Sequence, residues 1–253
     1  MNDIFDLREK RILIAGGGGD IGFACARAYG ACGATVLLFD IHEDRVKQGV
    51  ERLRAEGFPA DGWCGSITDP VFLEEMAGKI GGKYGSLDVL MNCAGVTSRK
   101  PMLEMSQKEW TEVIDVNLNG VFLLLKTFGN AFCGQGHGKV IQILSTGAYR
   151  FGPNFSSYGA SKAGASSLIK SLALEWAPYH VQVNGIAPTA TETNFTRDYY
   201  LEHPEKKAAA IKNHPYQRLG TPEDYVGAAI FLASSASDFV NGEVIIVDSG
   251  KTV

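Results

Sequence analysis

The sequence has few cysteines and histidines, and neither set has the spacing of a metal site or a disulfide framework. Five cysteines are scattered over 253 residues without a Cys-x-x-Cys pair, and the five histidines show no close ligand spacing. These absences argue against a disulfide-rich secreted domain and against a zinc site. They favour a reducing, cytoplasmic compartment, and no metal is expected.

Long apolar runs and clustered positive charge are also missing. The longest apolar runs, such as residues 121–125, are far shorter than the ~20 residues of a membrane span, and the charged residues 1–10 contain no apolar signal core. The net charge is −4 with no basic run, which argues against nucleic acid as the main partner. The 253 residues, with 45% hydrophobic and 21% charged content, predict one soluble domain over 1–253.

Glycine, in contrast, is concentrated near the start of the chain. The apolar run 11–15 stops at four consecutive glycines, 16–19, and helical spacing follows the tripeptide 20–22. Positions 17, 19 and 22 form a Gly-x-Gly-x-x-Gly motif between a strand and a helix, which is the context of a dinucleotide site. Glycines there let the backbone approach a pyrophosphate, whose charge a helix N-terminus favours. The turn predicts nucleotide binding, and a plain glycine-rich turn is the alternative.

The acidic residue after the next apolar run indicates whether the dinucleotide is NAD or NADP. Residues 35–39 are apolar and end in Asp40, close to the ~20 residues past the glycine motif at which an acid takes the ribose hydroxyls of NAD. A carboxylate there should repel the 2′-phosphate of NADP, and Arg45 is expected on the following helix. The sequence therefore predicts NAD. A role for Asp40 in capping the helix that starts near Glu43 is compatible with this.

Strand-like and helix-like segments alternate along the whole chain. Further strands are predicted at 60–64, 88–92, 139–144, 181–185 and 243–247. Helices are predicted at 43–56, 69–84, 106–132 with a break near Asn117, 156–177 and 221–233, whereas 189–219 is predicted to be irregular. The alternation predicts an α/β fold: a single Rossmann-type doubly wound domain, with a seven-stranded parallel sheet and helices on both faces. Ligands in such sheets bind beyond the carboxyl ends of the strands.

A tyrosine and a lysine lie four residues apart at the start of the helix after the fifth strand. Tyr158 and Lys162 would share one helix face, and an ammonium can lower the pKa of a neighbouring phenol. The pair is a candidate acid/base, although a half-buried tyrosine with a snorkelling lysine has the same spacing. Ser145 ends the fifth strand and should lie at the same edge of the sheet.

These motifs, taken in order, resemble the short-chain dehydrogenase/reductase family over essentially the whole chain. The resemblance rests on residues 15–22, 92–95 (Asn-Cys-Ala-Gly), 115–120, Ser145, Tyr158-x-x-x-Lys162, 184–188, 220–224 and 247–250. More weakly, residues 1–7 and 98–110 are similar to gluconate 5-dehydrogenase-type members. The resemblance implies a secondary alcohol–ketone oxidoreductase.

The resemblance implies a catalytic set of Asn117, Ser145, Tyr158 and Lys162. Tyr158 would take the alcohol proton while hydride passes to NAD, and Lys162 would hold the nicotinamide ribose and favour the phenolate. Ser145 would bind the reacting oxygen, and Asn117 would hold a water linking Lys162 to solvent. The structural alternatives are a helix cap for Ser145 and a helix-kink hydrogen bond for Asn117.

The resemblance also implies the cofactor site and shows where this sequence departs from it. The implied cofactor-binding residues are Gly16, Gly19, Asp20, Ile21, Gly22, Asp40, Ser66, Ile67, Asn92, Ala94, Gly95, Tyr158, Lys162, Pro188, Thr191 and Thr193. The family pattern has glycine where Asp20 and Thr189 stand, aspartate at Ser66 and asparagine at Cys93. A threonine is common in place of Ala15.

The substrate is expected under a variable lid, residues 189–219. Arg99 and Arg150 would lie near the site, together with Ser145 and Tyr158, and suggest a small polyol, sugar acid or hydroxy acid; solvated surface charges are the alternative. A 3-oxoacyl-carrier-protein reductase and a non-catalytic NAD-binding sensor are the competing functions. The family resemblance also implies a homotetramer.

Overall fold

A computed structural model describes residues 4–150 and 152–253. The first three residues of the N-terminal stretch that is similar to gluconate 5-dehydrogenase-type proteins lie outside the described residues. Within the described ranges, no helix is both long enough and apolar enough to cross a membrane.

The described chain forms a seven-stranded sheet in which every neighbouring pair of strands is parallel. The strands are β1 (Arg11–Ala15), β2 (Thr35–Asp40), β3 (Ala60–Cys64), β4 (Val89–Asn92), β5 (Gly138–Ile143), β6 (Val181–Pro188) and β7 (Val244–Val247). Their order is β3-β2-β1-β4-β5-β6-β7. Because the chain reverses its direction across the sheet between β1 and β4, a crevice is expected at the carboxyl ends of these strands.

Helices cover both faces of this sheet. They are α1 (Asp20–Ala31), α2 (Glu43–Ala55), α3 (Pro70–Tyr84), α4 (Gln107–Ile114), α5 (Gly120–Gln135), α6 (Ser156–Trp176), α7 (Asn194–Glu202), α8 (Pro204–Lys212) and α9 (Val226–Ala233). Phe128, Phe132 and Ile169 bury α5 and α6 against one face. Tyr29 and Tyr225 belong to the cluster on the other face. The predicted fold, a seven-stranded Rossmann-type sheet with two helical layers, is confirmed.

The predicted break near Asn117 is a π-helical turn, Asp115–Asn119, that joins α4 to α5. The predicted capping box is present at the start of α4, where Ser106 and Glu109 bond each other's backbone amides. Such π-turns often occur at functional sites because they displace backbone carbonyls from the regular ladder. Here the turn places Asn117 in the buried layer beside α6.

The prediction that 189–219 is irregular is wrong. Two nine-residue helices, α7 and α8, occupy most of the segment. Thr193 and Thr196 form a reciprocal cap at the start of α7, and Pro204 opens α8. Helix α8 lacks the apolar stripe on which helix prediction depends, since none of its described residues is buried. Helix α7 has only nine residues, two of them buried. Strand β6 is also longer than predicted and extends to Pro188.

Candidate active site

The carboxyl ends of the strands border a large cleft of about 1800 Å³. The first turn of α6 and the helices α7 and α8 complete its walls. The lining contains these residues singled out from the sequence: Gly16, Gly19, Asp20, Ile21, Gly22, Asp40, Ser66, Ile67, Ala94, Gly95, Arg99, Ser145, Arg150, Tyr158, Lys162, Pro188, Thr191 and Thr193. Asn92 and Asn117 are the predicted site residues that do not line it.

The glycine turn has no room for side chains at two positions. Gly16 has a φ of 69°, and a Cβ there would lie 2.7 Å from the amide nitrogen of Ala94. A Cβ on Gly22 would lie 2.4 Å from the Gly16 carbonyl oxygen. Gly19 caps α1 without offering a side chain to the first amides of the helix. Those amides face the cleft and fit an anionic diphosphate.

The side chain of Asp20, a residue that lines the cleft, also contacts the lid. Its Oδ2 accepts a hydrogen bond from the backbone N of Asn194 (2.6 Å), and its Oδ1 accepts one from Asn194 Nδ2 (3.0 Å). Asn194 is the first residue of α7. No signal in the sequence connects these residues, which are 174 positions apart.

Asp40 ties the end of β2 to the glycine turn. The side chain is 8% exposed, and its two oxygens accept hydrogen bonds from Gly18 N (3.2 Å) and His42 N (3.1 Å). The helix-capping alternative is realised only in part, because His42 is the residue before α2 rather than part of it. The carboxylate lines the cleft beside the glycine turn, where a ribose next to a bound diphosphate would lie.

The wall beyond Asp40 is formed by Ser66 and Ile67. The Ser66 hydroxyl is engaged with Thr68 Oγ1 at 2.8 Å, a local contact within the loop after β3. Ile67 is 4% exposed and packs closely against Gly120, where an added Cβ would lie 2.8 Å from its Cγ1. This arrangement leaves an apolar surface and backbone groups, which fit the adenine ring, and no carboxylate at position 66.

Asn92 does not reach the cleft. It is fully buried, its Nδ2 donates to Gln142 Oε1 (3.0 Å), and its Oδ1 accepts from Ala94 N (3.0 Å). The side chain thus shapes the turn that presents Ala94 and Gly95 to the cleft. The expectation that Asn92 itself contacts cofactor is corrected, since both ends of its amide are already used.

Tyr158, Ser145 and Lys162 converge at the centre of the cleft. Tyr158 and Lys162 lie one turn apart on α6, with the Lys162 Nζ 5.8 Å from the centre of the Tyr158 ring. Ser145 lies beside Tyr158, since a Cβ added to Gly147 would lie 3.3 Å from Ser145 Oγ and 3.6 Å from Tyr158 Cε1. Ser145 Oγ also accepts from Gly147 N at 3.0 Å, so its predicted capping role is present too. The two hydroxyls of Tyr158 and Ser145 are thus close enough to bind one oxygen atom between them.

The electrostatics differ from the sequence prediction. Burial raises the pKa of Tyr158, while the hydrogen bond with Ser145 and the positive charge of Arg99 lower it by less. Burial also lowers the pKa of Lys162 to about 8. Lys162 donates to the carbonyl of Ile143 (3.0 Å) rather than to the phenol, so it does not produce the predicted lowering of the Tyr158 pKa.

Asn117 lies behind this group. Its Oδ1 accepts from Val96 N (2.8 Å), and its Nδ2 donates to Val96 O (2.8 Å) and Ser161 Oγ (3.1 Å). The bonds join the π-turn to the loop after β4 and to α6, so they are tertiary contacts and not the helix-kink bond considered as an alternative. A Cβ added to Gly95 would lie 3.1 Å from Asn117 Oδ1 and 3.4 Å from Lys162 Nζ, which places both side chains next to this loop.

The two candidate arginines are placed very differently. Arg99 stacks 3.8 Å from the centre of the Tyr199 ring on the lid, and its charge acts on Tyr158. Its Nε is buried and has no acceptor within the described residues. Arg150 is exposed on the rim, and its guanidinium donates to the backbone oxygen of Lys251. Of the two arginines, Arg99 is therefore the one whose charge acts on Tyr158.

The end of β6 connects the cleft to the lid. Thr191 is 5% exposed, and its hydroxyl bonds Thr189 O (2.7 Å) and the Tyr225 hydroxyl. The Thr189 hydroxyl bonds Nε2 of the buried His214 at 2.9 Å. Pro188 and Thr193 line the cleft beside these residues. Sequence analysis did not single out His214 because a lone histidine in a polar segment carries no pattern.

The described residues contain no cluster of three or more His, Cys, Asp or Glu side chains that could hold a metal. None of the five cysteines, all of which lie within the described ranges, forms a disulfide.

This fold, with a tyrosine, a lysine and a serine at the carboxyl edge of the sheet, defines a Rossmann-type oxidoreductase. A family model described as enoyl-(acyl carrier protein) reductase matches residues 17–252. The chain is 37% identical over 253 residues to 5-keto-D-gluconate 5-reductase of Escherichia coli K12, covering 100% of this chain and 99% of that protein. It is 32% identical to gluconate 5-dehydrogenase of Gluconobacter oxydans, covering 99% and 98% of the two chains.

A solved structure shows the same fold. Gluconate 5-dehydrogenase from Burkholderia cenocepacia, in complex with NADP and tartrate, superposes with a TM-score of 0.94 at 34% identity, covering 99% of this chain and 98% of that chain. The chain belongs to the short-chain dehydrogenase/reductase family, and it resembles the gluconate 5-dehydrogenase-type members of it. It is an oxidoreductase that acts on CH–OH groups and interconverts a secondary alcohol and a ketone.

Proposed function

We propose that the protein oxidises and reduces one carbon of a small sugar acid, using NAD. The observation that carries the substrate class is Arg99, a partly buried cation whose charge acts on Tyr158 and whose Nε has no acceptor among the described residues. A guanidinium in that position fits the carboxylate or vicinal hydroxyls of a polyhydroxy acid. The names of the similar proteins, which act on gluconate and 5-keto-D-gluconate, support the same class.

The proposed roles of the central residues follow from their contacts. In the oxidation direction Tyr158 takes the proton of the substrate hydroxyl, and Ser145, which lies beside the phenol, fixes the reacting oxygen. A bound nicotinamide would accept the hydride in this direction and supply it in the other. Lys162, buried one helical turn from Tyr158, would hold the ribose of the nicotinamide. Asn117 would position the neighbouring backbone for a water path to Lys162.

The glycine turn and the strand ends would hold the dinucleotide. The first amides of α1 would bind the diphosphate, Ser66 and Ile67 would border the adenine, and Asp40 would accept bonds from the ribose hydroxyls. A 2′-phosphate on that ribose would meet the Asp40 carboxylate, and this repulsion is the basis for proposing NAD. The Burkholderia relative is described with NADP, so the preference needs its own test.

Substitution of Asp40 by alanine should relax the cofactor preference. We expect kcat/KM with NADP to rise about tenfold relative to NAD, because like-charge repulsion in a partly buried site is removed. Steady-state rates with both cofactors measure this ratio. Glu43→Ala, which removes an exposed acid at the start of α2, is the matched control. An unchanged ratio in Asp40→Ala would remove the argument for NAD.

A panel of substrates tests the substrate class. Sugar acids, the corresponding neutral polyols, short hydroxy acids and a 3-hydroxyacyl thioester are assayed with both cofactors. We expect the highest kcat/KM with a sugar acid, and a preference for the thioester would favour the carrier-protein reductase alternative. Binding of NAD without turnover of any alcohol would favour the sensor.

Two arginine variants sharpen this test. Arg99→Gln should raise the KM for the sugar acid about tenfold or more, with a smaller change for the neutral polyol, because an ionic hydrogen bond is lost. Arg150→Gln should leave both KM values nearly unchanged, since the Arg150 guanidinium donates to the backbone oxygen of Lys251. Equal effects of Arg99→Gln on both substrates would contradict carboxylate binding.

The assembly and the compartment are further parts of the proposal. A homotetramer is supported by apolar side chains that are exposed on α5, on α6, and in or near β7, namely Phe122, Leu174, Phe239 and Ile246. A cytoplasmic location is proposed from the scattered cysteines, which suit a reducing compartment. Light scattering after gel filtration gives the mass of the assembly, and a monomer of 27.2 kDa would contradict the tetramer.

A further inference from the structure

The lid formed by α7 and α8 has little apolar packing to hold it. Thr196 and Tyr200 are the buried residues described in α7, and none of those described in α8 is buried. Phe195 and Leu201 are 50% and 73% exposed. A segment with few buried contacts opens at low free-energy cost, so individual polar contacts decide how often it does.

One such contact lies at the start of the lid. Asp20 accepts hydrogen bonds from both the backbone N and the side-chain Nδ2 of Asn194, at 2.6 and 3.0 Å. Asp20 opens α1 at the diphosphate side of the cleft, and Asn194 opens α7. The two bonds therefore join the lid to the glycine turn.

A second contact lies at the end of the lid. Nδ1 of His214 is 2.7 Å from the carbonyl of Ala210 on α8, and because a carbonyl only accepts, this nitrogen carries a proton. In the neutral ring Nε2 then accepts from the Thr189 hydroxyl at 2.9 Å. His214 is 1% exposed, so losing the hydroxyl would leave a buried polar nitrogen without a partner.

We propose that Asp20 and Thr189 are positioning residues that fasten the two ends of the lid to the strand ends, and so set how often the cleft opens. Both stand where the family pattern has glycine, which could make neither contact. The inference concerns the lid alone and does not depend on which alcohol is oxidised. Lid movement would widen the way to the site at which substrate and cofactor exchange, because Phe195 and Tyr199 of the lid line the same cleft as Gly19 and Tyr158.

Charge exchange across the first contact tests the pairing. In Asn194→Asp two carboxylates face each other, and in Asp20→Ala the acceptors are gone. The double variant Asp20→Asn with Asn194→Asp restores a donor and an acceptor with the same net charge. Amide hydrogen exchange over 194–202, measured on the protein without cofactor, should be about three- to tenfold faster in both single variants and return to the wild-type rate in the double variant.

Two results would overturn this assignment. Wild-type exchange in both single variants would mean that the contact does not hold the lid. Faster exchange in Asp20→Ala without restoration in the double variant would mean that Asp20 acts through its charge on α1 rather than through Asn194.

The second contact is tested with variants of similar size. Thr189→Val keeps the shape and removes the hydroxyl, whereas Thr189→Ser keeps the hydroxyl. We expect exchange over 204–214 to be about three- to tenfold faster in the valine variant and close to wild type in the serine variant. Equal exchange in the valine variant and the wild type would overturn this half of the proposal.

A kinetic readout links the anchors to cofactor exchange. Stopped-flow fluorescence of NADH release should show a faster off-rate in Asp20→Ala and Asn194→Asp, with the double variant near wild type. If release is unchanged while hydrogen exchange rises, the lid would open without controlling the cleft, and the functional part of the proposal would be wrong.

Discussion

The cleft has two sides that are built in opposite ways. On the strand-end side, Gly16 and Gly22 have no room for a Cβ, and Asn117 and Lys162 are buried among hydrogen bonds. On the lid side, α8 has no buried residue among those described, and α7 is held largely by polar and cation–π contacts. The difference separates two tasks: the groups proposed for the chemistry sit where the backbone cannot shift, and access is controlled where it can.

The largest expected effect of a substitution is on the reaction rate, and it comes from the strand-end side of the cleft, which we call the rigid side. Tyr158→Phe removes the proposed acid/base hydroxyl and should lower kcat by about 10³-fold, within the range that general acid–base catalysis contributes. The rate is measured with the best substrate of the panel.

Tyr149→Phe is the matched control for this prediction. Tyr149 bonds Ser166 at 2.7 Å and is a tyrosine near the site with no proposed part in the chemistry. NADH binding, followed by fluorescence, should survive in both variants. A Tyr158→Phe enzyme that retains more than about a tenth of its rate would place the acid/base elsewhere.

A smaller effect is expected from crowding the glycine turn. Gly22→Ala puts a methyl group 2.4 Å from the Gly16 carbonyl oxygen, and a backbone atom cannot move aside by changing a rotamer. We expect a loss of about 2 kcal/mol in the free energy of unfolding, as in other overpacked sites. Urea unfolding followed by circular dichroism measures it.

Two controls separate crowding from other effects of substitution. Gly78→Ala lies on α3 with nothing within 4 Å of the new methyl group, and should be neutral or stabilising by up to about 1 kcal/mol. Leu201→Ala on the lid, where the side chain is 73% exposed, should change stability by less than about 0.5 kcal/mol. If Leu201→Ala lowered the free energy of unfolding as much as Gly22→Ala, the proposed contrast between the two sides of the cleft would be wrong.

Sequence reasoning succeeded on the rigid side. Buried parallel strands appear as apolar runs, so the position of each strand and the polar residue after it could be located in the chain. Parallel strands place their carboxyl ends at one edge, and this predicted that Ser145, Asp40 and Tyr158 would lie along the same edge of the sheet, where they line one cleft. The capping box at Ser106 was predictable for a similar reason, because its two partners lie three residues apart.

Sequence reasoning failed where contacts join residues far apart in the chain, and where burial decides the direction of a pKa shift. Helix α8 has no buried face among its described residues, and the Asp20–Asn194 contact joins residues far apart in the chain. The spacing of Tyr158 and Lys162 predicted proximity but not the direction of the Tyr158 pKa, because desolvation depends on the surrounding fold. The proposed roles of the site residues remain predictions for the experiments above.

The smallest effect, and one confined to the rigid side, is a pH dependence of stability from Lys162. Burial lowers its pKa to about 8, against 10.5 for an ordinary lysine. Between these values the unfolded chain binds a proton that the folded chain does not, so the free energy of unfolding rises with pH in this window. The gain in the free energy of unfolding from pH 8 to pH 9 should be about 1 kcal/mol, measured by urea unfolding of the protein without cofactor.

Lys162→Met should lack this increment, whereas Lys170→Met, at an exposed position of the same helix, should keep it. A stability difference between wild type and Lys162→Met that stays constant from pH 7 to pH 9 would show that Lys162 does not titrate there, and that the strand-end side is less dry than its packing indicates.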